Sequence, residues 1–121
     1  MKFKRFEDMP VWQDARKLTS IIYRLTAKGK LSSDYGLKDQ MQRSAVSVMS
    51  NIAEGYERHT KKEFIAFLYH AKGSVGELRS QLYVALDLQY ISQSEFEEAF
   101  TLSVSIINQT AGFITFLSRS I

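Results

Sequence analysis

The chain contains no cysteine among its 121 residues and only one proline, Pro10. The absence of cysteine excludes disulfides, zinc–thiolate sites, iron–sulfur clusters and cysteine nucleophiles. Proline interrupts helices, so a chain with so little of it can form long ones. With 45% apolar residues, the composition predicts an all-α protein with one buried core, in a single domain at residues 1–121.

Long uninterrupted apolar runs are also missing. The first residues, MKFKRFEDMP, are basic, but the apolar segment of a signal peptide does not follow them. No run of apolar residues reaches the length of about 20 that a membrane span needs. We therefore expect a cytoplasmic protein that has no contact with membranes.

Residues typical of catalytic or metal sites are few. The two histidines, His59 and His70, lie eleven positions apart, and neither belongs to a Glu-x-x-His or His-Glu-x-x-His pattern. The sequence has no glycine-rich phosphate loop and no serine in a recognisable nucleophile setting. We expect no catalytic residues, no metal site and no cofactor, and hence no enzyme.

The formal net charge is +3, but it is unevenly distributed. Residues 1–86 hold 15 of the 16 Lys and Arg and 9 of the 13 acids, a balance of +6; residues 87–121 hold one Arg and four acids, a balance of −3. Such an asymmetry can mark an anion-binding surface. It is equally compatible with an ordinary solvated surface of mixed charge.

Apolar residues recur along the chain at alternating steps of three and four, as in helices with one buried face. These lines predict four helices, at about 10–28, 34–57, 61–89 and 93–119. Short connections between helices of this length force each helix to fold back on the one before. The expected fold is an antiparallel up-down four-helix bundle.

Two of the predicted helices begin at the sequence pattern of a capping box. Thr60 is followed by Glu63, and Ser92 by Glu95, so that a hydroxyl and a carboxylate can each accept from a backbone N–H. These pairs predict the starts of the third and fourth helices.

The second predicted helix has large and small side chains alternating along its apolar line, which ends at Gly55. A neighbouring backbone can come close there. Beside the line runs a polar edge, where Asn51 and Glu54 would lose solvation unless something bonds them. We interpret both as structural residues that bond to a neighbouring helix, in preference to a ligand site.

The last two predicted helices carry more apolar surface than one core requires. The fourth is apolar over about 200° of its circumference. The third has interior glycines that cost about 1 kcal/mol each, usually offset by close approach of another helix. We expect a homo-oligomer whose interface includes Tyr69, Gly73, Gly76, Tyr83, Leu102, Ile106 and Phe113. The alternative is that these faces meet inside one bundle.

Basic residues form two candidate surfaces for nucleic acid. Lys61, Lys72 and Arg79 fall within about 20° of one another on the third helix, with Tyr83 nearby. The second surface consists of Lys2, Lys4, Arg5, Arg58, His59 and Lys62. For both surfaces, ordinary solvated charge is the alternative.

The string NIAEG at residues 51–55, followed by KEF at residues 62–64, is a specific signal. Other matching positions extend over nearly the whole chain: Phe6, Glu7, Asp8, Trp12, Gln13, Ala15, 35–37, Gln40, Arg43, Ala45, Ser47, Phe67, Leu68, Gly73, Ser74, Glu77, Leu78, Gln81, Leu82 and 90–92. In these residues the chain resembles the bacterial four-helix-bundle proteins encoded within intervening sequences of 23S ribosomal RNA genes, also called S23 ribosomal proteins.

The resemblance implies a bundle that assembles into a small ring, such as a pentamer, with no established enzymatic activity. Three positions depart from the family pattern: Gln42 replaces a frequent arginine, Met49 a frequent proline and Gln89 a frequent glycine. The missing arginine weakens any nucleic-acid role at that position, while Arg43 remains a candidate for nucleic-acid contact.

Two functions remain open. The leading one is a non-enzymatic, ring-forming bundle that binds RNA or DNA through basic patches repeated around the ring, because repetition multiplies weak contacts. The alternative is a protein-interaction scaffold that docks a partner protein and has no direct role with nucleic acid.

Overall fold

The computed structural model describes residues 3–119 of the chain, and in that part it is all-α. The four long helices are α1 (Pro10–Thr26), α2 (Tyr35–Glu57), α3 (Lys61–Asp87) and α4 (Gln93–Ser118). Two short 3-10 helices, Phe6–Asp8 and Gly29–Ser33, precede α1 and α2. The predicted all-α class is confirmed. Both α1 and α3 end two residues before their predicted ends.

The helices enclose one hydrophobic core. α3 packs between α2 and α4, and α1 closes the bundle by contacting α2 and α4. The largest fully buried side chains come from all four helices and from the segments before α1 and α2: Met9, Leu18, Ile22, Leu31, Met41, Val48, Ile52, Leu68, Leu78, Leu82, Ile106 and Leu117.

Gly55 allows the closest approach between α2 and α3. A Cβ atom at this position would lie 2.8 Å from Cβ of Phe67 and 2.9 Å from Cδ1 of Phe64. Both distances are far below van der Waals contact, so only glycine fits without a shift of α3. The close approach expected from the small residues of α2 is therefore found at its C-terminal end.

Local hydrogen bonds fix the ends of the helices. Ser92 and Glu95 form the complete capping box predicted for α4. At α3 the prediction is only half right: the Thr60 hydroxyl accepts from the Glu63 N–H, but the Glu63 carboxylate accepts from that same hydroxyl.

The C-terminus of α3 closes in a Schellman motif. The N–H of Tyr90 donates to the carbonyl of Ala85, and the N–H of Gln89 donates to the carbonyl of Leu86, both at 2.9 Å. The motif requires a left-handed residue, and Gln89 supplies it with φ of 59°. This explains why glycine is the better residue here.

The apolar arc of α4 is covered more fully by its own chain than its width of about 200° indicates. Of the apolar side chains that make up this arc, Ile106, Ile114 and Leu117 are buried. Four others are half-buried against the core, Phe100, Leu102, Ile107 and Phe113, and Val104 is half-buried. On α4, Phe116 is the exposed large apolar residue, at 60%. Most of the apolar surface of α4 that was expected to exceed the needs of one core is therefore covered within one bundle.

By length and composition alone, α4 could cross a membrane. α4 meets this measure without a continuous apolar run: Ser, Thr, Asn and Gln interrupt its apolar residues, and it has few charged residues after its first two turns. In the structure, α4 contributes seven buried residues to the bundle. Core helices of bundles commonly pass the same test.

Candidate nucleic-acid interface

The predicted basic line of α3 lies on the side of that helix that faces α4. Lys61 is exposed at the first position of α3, whereas Lys72 and Arg79 are half-buried. Within residues 3–119, no ion pair within 4 Å involves Lys72 or Arg79. Their positive charge is therefore not neutralised by an adjacent carboxylate.

Arg79 is held against aromatic side chains of α4. Its guanidinium carbon lies 4.8 Å from the centre of the Phe100 ring. Tyr83 meets the same ring edge-on with 5.5 Å between centres, and Phe96 stacks on it at 5.0 Å. A cation over an aromatic face gains electrostatic energy and loses rotational freedom. Arg79 is therefore the best-positioned cation of the line.

One nitrogen of Arg79 has no partner in the described part of the chain. Nε is inaccessible to solvent and makes no hydrogen bond. Because Nε is buried, only the terminal nitrogens of the guanidinium remain to meet an anion.

Both arginines of the second predicted surface are paired with acids three or four residues away along the chain. Arg58 pairs with Glu54 at 2.7 Å and lies 4.7 Å from the ring centre of Phe67. Arg5 pairs with Asp8 at 3.3 Å. Exposed pairs of this kind contribute little to stability, but they reduce the local positive potential.

Of the other candidate cations, one is paired with an acid and three are exposed. Arg43 pairs with Asp39 at 2.7 Å on the exposed side of α2, so its charge is also balanced locally. Lys4 and Lys62 are exposed, as is His59. Lys2 lies outside the described residues.

Gln42, which replaces a frequent arginine of the family, points into the bundle. Its amide nitrogen donates to the hydroxyl of Thr26 at 3.0 Å, and Thr26 is fully buried. The side chain therefore links α2 to α1 and takes no part in a basic surface.

Asn51 and Glu54 behave differently from each other. Asn51 donates to the carbonyl and hydroxyl of Ser47 on its own helix, and Ser47 shares a 2.9 Å hydrogen bond with Ser74 of α3. Asn51 thus reaches the neighbouring helix only through Ser47. The expectation for Glu54 is wrong within this chain, because its side chain is 55% exposed and its carboxylate pairs with Arg58, which follows the last residue of α2.

The candidate interface residues fall into three groups. Tyr69 and Tyr83 are exposed, at 55% and 49%, and a Cβ at Gly73 or Gly76 would meet nothing within 4 Å. Leu102 and Phe113 are half-buried against the core. Ile106 is fully buried, so its assignment to an interface is wrong: it faces inward along the centre of the α4 stripe.

Polar contacts near the start of α2 connect the segments that join the helices. The Tyr90 hydroxyl donates to Asp34, which also accepts from the Leu37 N–H at the start of α2. This bond to the carboxylate raises the pKa of Tyr90. Bonds from Lys28 and from the Ser92 backbone lower the pKa of Glu95. No group of three or more His, Asp or Glu suited to a metal ion occurs in residues 3–119.

Comparison with known proteins assigns the chain to a family. The sequence profile of the family described as "23S rRNA-intervening sequence protein" matches residues 7–112, which is most of the chain. The chain therefore belongs to this family, and the resemblance seen in its sequence is confirmed. Among curated proteins, no similar sequence is found.

A solved structure shares the fold. It is a crystal structure of a protein of unknown function from the S23 ribosomal protein family of Bacteroides thetaiotaomicron, with a TM-score of 0.79 and 20% sequence identity. The match covers 86% of this chain and 97% of the other. At this identity the similarity concerns the fold alone.

Sequence reasoning missed the aromatic support of the basic line. The sequence places Phe100 on the apolar side of α4 but does not single out Phe96. The contact of Phe100 with Arg79, and of both rings with Tyr83, depends on the register between α3 and α4. A signal was present: Arg79 and Tyr83 lie one turn apart on α3, and Phe96 and Phe100 one turn apart on α4. Two such pairs stack together when antiparallel helices pack side by side.

Proposed function

We propose that this protein is a non-enzymatic, self-associating bundle that binds RNA through the basic line of Lys61, Lys72 and Arg79. The observation that carries the proposal is the placement of Arg79 on Phe100 beside Tyr83. A cation fixed on an aromatic surface offers a phosphate a pre-oriented partner, and the nearby rings offer unpaired bases a stacking surface.

The charge distribution supports the same surface. Three of the arginines outside the line, Arg5, Arg43 and Arg58, are paired with acids three or four residues away, so their charges are balanced locally. Lys72 and Arg79 have no such partner in the described chain. An RNA backbone is a dense row of negative charges and would supply the missing counter-charge.

Self-association would allow individually weak contacts to give a high affinity for RNA. Three cations in one chain give a small binding energy, but a ring such as a pentamer would present the line once per subunit. Binding of the first subunit then raises the effective concentration of RNA at the others. The affinity of an assembly can in this way exceed that of a single chain by orders of magnitude.

The proposal is tested by RNA binding of a triple variant, Lys61→Gln, Lys72→Gln and Arg79→Gln. Fluorescence anisotropy against a labelled, unstructured RNA at low salt should show an affinity loss of at least tenfold. The matched control removes three exposed cations elsewhere, Lys17, Arg24 and Lys30, again by change to Gln. The two variants have the same net charge.

Equal losses in the triple variant and its control would mean that only net charge matters, and would remove the α3 line as a site. Retained affinity in both variants would have the same consequence. If the parent protein binds no RNA, the exposed tyrosines of α3 support the scaffold function instead, in which the bundle docks a partner protein. Circular dichroism of each variant confirms that the helices are intact.

A further inference from the structure

An open cleft lies between α2 and α3 on the surface of the bundle. Its volume is about 540 Å³. The residues that line it are mostly polar or aromatic: Ser47, Asn51, Phe67, Tyr69, His70, Gly73, Ser74 and Glu77. We call it the α2–α3 cleft. None of the three cations of the basic line contributes to it, so RNA binding through that line does not account for its lining.

A hydrogen-bonded network at the α2 side of the cleft leaves one oxygen free. The Asn51 amide nitrogen donates to the carbonyl and the hydroxyl of Ser47, at 2.8 and 3.0 Å, and the hydroxyls of Ser47 and Ser74 are 2.9 Å apart. Because a carbonyl can only accept, the Asn51 atom that meets it must be the nitrogen. The side-chain oxygen of Asn51 has no partner within residues 3–119. Asn51 therefore keeps its structural role and also presents an oriented acceptor.

The α3 side of the cleft carries a carboxylate and aromatic rings. Glu77 is exposed, and in the described part of the chain no ion pair within 4 Å involves it. Tyr69 is 55% exposed, and His70 meets Phe67 edge-on with 5.9 Å between ring centres. The cleft thus combines a negative charge, neutral acceptors and accessible rings.

Gly73 keeps the space between these groups open. His70 and Glu77 lie two turns apart on α3, roughly 10 Å along the helix axis, and Gly73 lies between them. A glycine inside a helix costs about 1 kcal/mol relative to alanine. Packing within the chain does not require glycine here, since a Cβ at Gly73 would meet no atom within 4 Å. A ligand group that enters the cleft would account for it.

The chain itself shows which group such a combination holds. At the Phe67 end of the cleft, the guanidinium carbon of Arg58 lies 4.7 Å from the centre of the Phe67 ring, and Arg58 pairs with Glu54 at 2.7 Å. A carboxylate accepts from the N–H edge of a guanidinium, while a ring contacts its flat side. Glu77 and Tyr69 offer the same two groups, and within residues 3–119 no cation occupies them.

We propose that the α2–α3 cleft binds an arginine side chain of a partner protein. A guanidinium carries only hydrogen-bond donors and keeps its positive charge at any pH at which the protein is folded. It therefore matches a cleft that offers the Glu77 carboxylate, the Asn51 oxygen and aromatic rings. A phosphate does not match, because Glu77 would repel it. The inference goes beyond the proposed function and does not require RNA binding.

The arginines of this chain are mostly engaged already, which favours a different protein as the source. Of its seven arginines, three pair with acids of their own chain and two lie over aromatic rings: Arg5, Arg43 and Arg58, and Arg16 and Arg79. Arg24 and Arg119 remain. A second copy of the chain could offer only these two without breaking a contact that it already has.

The proposal is tested with two small probes that differ at one terminal group. N-acetyl-arginine N-methylamide carries the guanidinium, and the citrulline analogue has a carbonyl oxygen in place of one nitrogen, so it lacks the charge and adds an acceptor. In proton–nitrogen NMR titrations, the arginine probe should shift the signals of Gly73, Ser74 and the Asn51 side chain and reach saturation. The citrulline probe should bind at least about fivefold more weakly. Equal binding of the two probes, or shifts that do not saturate, would overturn the proposal.

Variants of the cleft provide matched controls. Glu77→Gln keeps the shape of the side chain and should weaken binding of the arginine probe at least about fivefold, whereas Glu97→Gln, at an exposed acid of α4, should stay within about twofold of the parent. Gly73→Leu should abolish binding by filling the cleft. Gly76→Leu, which does not line it, should leave binding intact, and a Cβ at either glycine has free space. Unchanged binding in Glu77→Gln or Gly73→Leu, or equal losses in the controls, would contradict the assignment.

Sedimentation distinguishes a partner protein from a second copy. If Arg24 or Arg119 filled the cleft of a neighbouring copy, Glu77→Gln would lower the mass of the assembly in analytical ultracentrifugation, and the partner-protein source would be wrong. We expect the mass to equal that of the parent.

RNA binding is measured on the same variants and separates the two proposals. Glu77→Gln should keep the RNA affinity of the parent within about twofold, and the triple Gln variant of the basic line should keep its binding of the arginine probe. Loss of RNA binding together with intact probe binding would reject only the proposed function. Failure of the arginine probe to bind the parent would reject only the cleft.

Discussion

Arg79 lies with its guanidinium carbon 4.8 Å from the centre of the Phe100 ring, which joins the basic line of α3 to the aromatic surface of α4. Phe100 also contacts Tyr83, so the cation and two rings form one cluster between the helices. In this cluster the contact with Phe100 holds the positive charge of Arg79 at the boundary between the two helices. Much of its ordering cost is incurred during folding, before any ligand binds.

Replacement of Arg79 by lysine should separate the effect of the positive charge on RNA binding from the effect of its placement on Phe100. Lysine keeps the positive charge but loses the contact between the guanidinium and Phe100, which is worth about 0.5–2 kcal/mol. RNA affinity should fall about threefold to tenfold, while the slope of log affinity against log salt stays unchanged. Anisotropy titrations over a salt series give both quantities. An unchanged affinity would show that stacking on Phe100 has no role in RNA binding.

The Gly55→Ala variant should be destabilised by about 1–3 kcal/mol, because its Cβ would overlap Phe67 and Phe64 at 2.8 and 2.9 Å. Gly112→Ala is the matched control. Gly112 lies inside α4, and a Cβ there would meet no atom within 4 Å, so alanine should stabilise the protein by up to about 1 kcal/mol. Urea denaturation measures both. Two changes of the same sign would contradict the packing described for Gly55.

Gln89→Gly should stabilise the protein. Gln89 has a φ of 59°, where a side chain is strained and glycine is not, and it completes the Schellman motif of α3. We expect a gain of about 0.5–1 kcal/mol, seen as a higher midpoint of thermal unfolding. Gln89→Ala keeps the strain and serves as the control. A lower midpoint for the glycine variant would mean that the Gln89 side chain makes a favourable contribution of its own.

Glu95 should make stability depend on pH in the acidic range. Bonds from Lys28 and Ser92 lower its pKa below the ordinary value of 4.5, so folding favours the carboxylate. Its contribution is present above pH 4.5 and is lost as the pH falls through the lower value of the folded state. Glu95→Gln should therefore destabilise by about 0.5–1.5 kcal/mol at pH 7 and by progressively less below pH 4.5. A difference that does not vary with pH would assign the effect to packing.

Much of the fold follows from local chemistry. The alternating apolar positions and the box of Ser92 and Glu95 depend on residues three or four apart, so the sequence alone locates the helices. Gly55 also signals a close approach, although not which side chains it meets. The positive φ of Gln89 could not be predicted from the residue type, since glutamine rarely adopts that conformation, and only the family pattern pointed to it.

The candidate site was harder to predict than the fold. Which cations share a face of α3 follows from 100° per residue, and Lys61, Lys72 and Arg79 were grouped on that basis. The partners of each cation follow from side-chain conformations that a sequence does not specify. The same limit explains the wrong expectation for Glu54, which pairs with an arginine four residues further along the chain. It also explains Ile106, whose inward direction depends on how α4 is rotated in the bundle.

The most direct test of the account is the salt dependence of RNA binding by the parent and by the Lys61→Gln, Lys72→Gln, Arg79→Gln variant. If the three side chains contact phosphates, the slope of log affinity against log salt should be shallower in the variant by about 2 for each participating chain. The loss of affinity should be similar for RNAs of different sequence. Identical slopes in parent and variant, or binding by the parent that does not respond to salt, would contradict the proposal that this surface binds RNA.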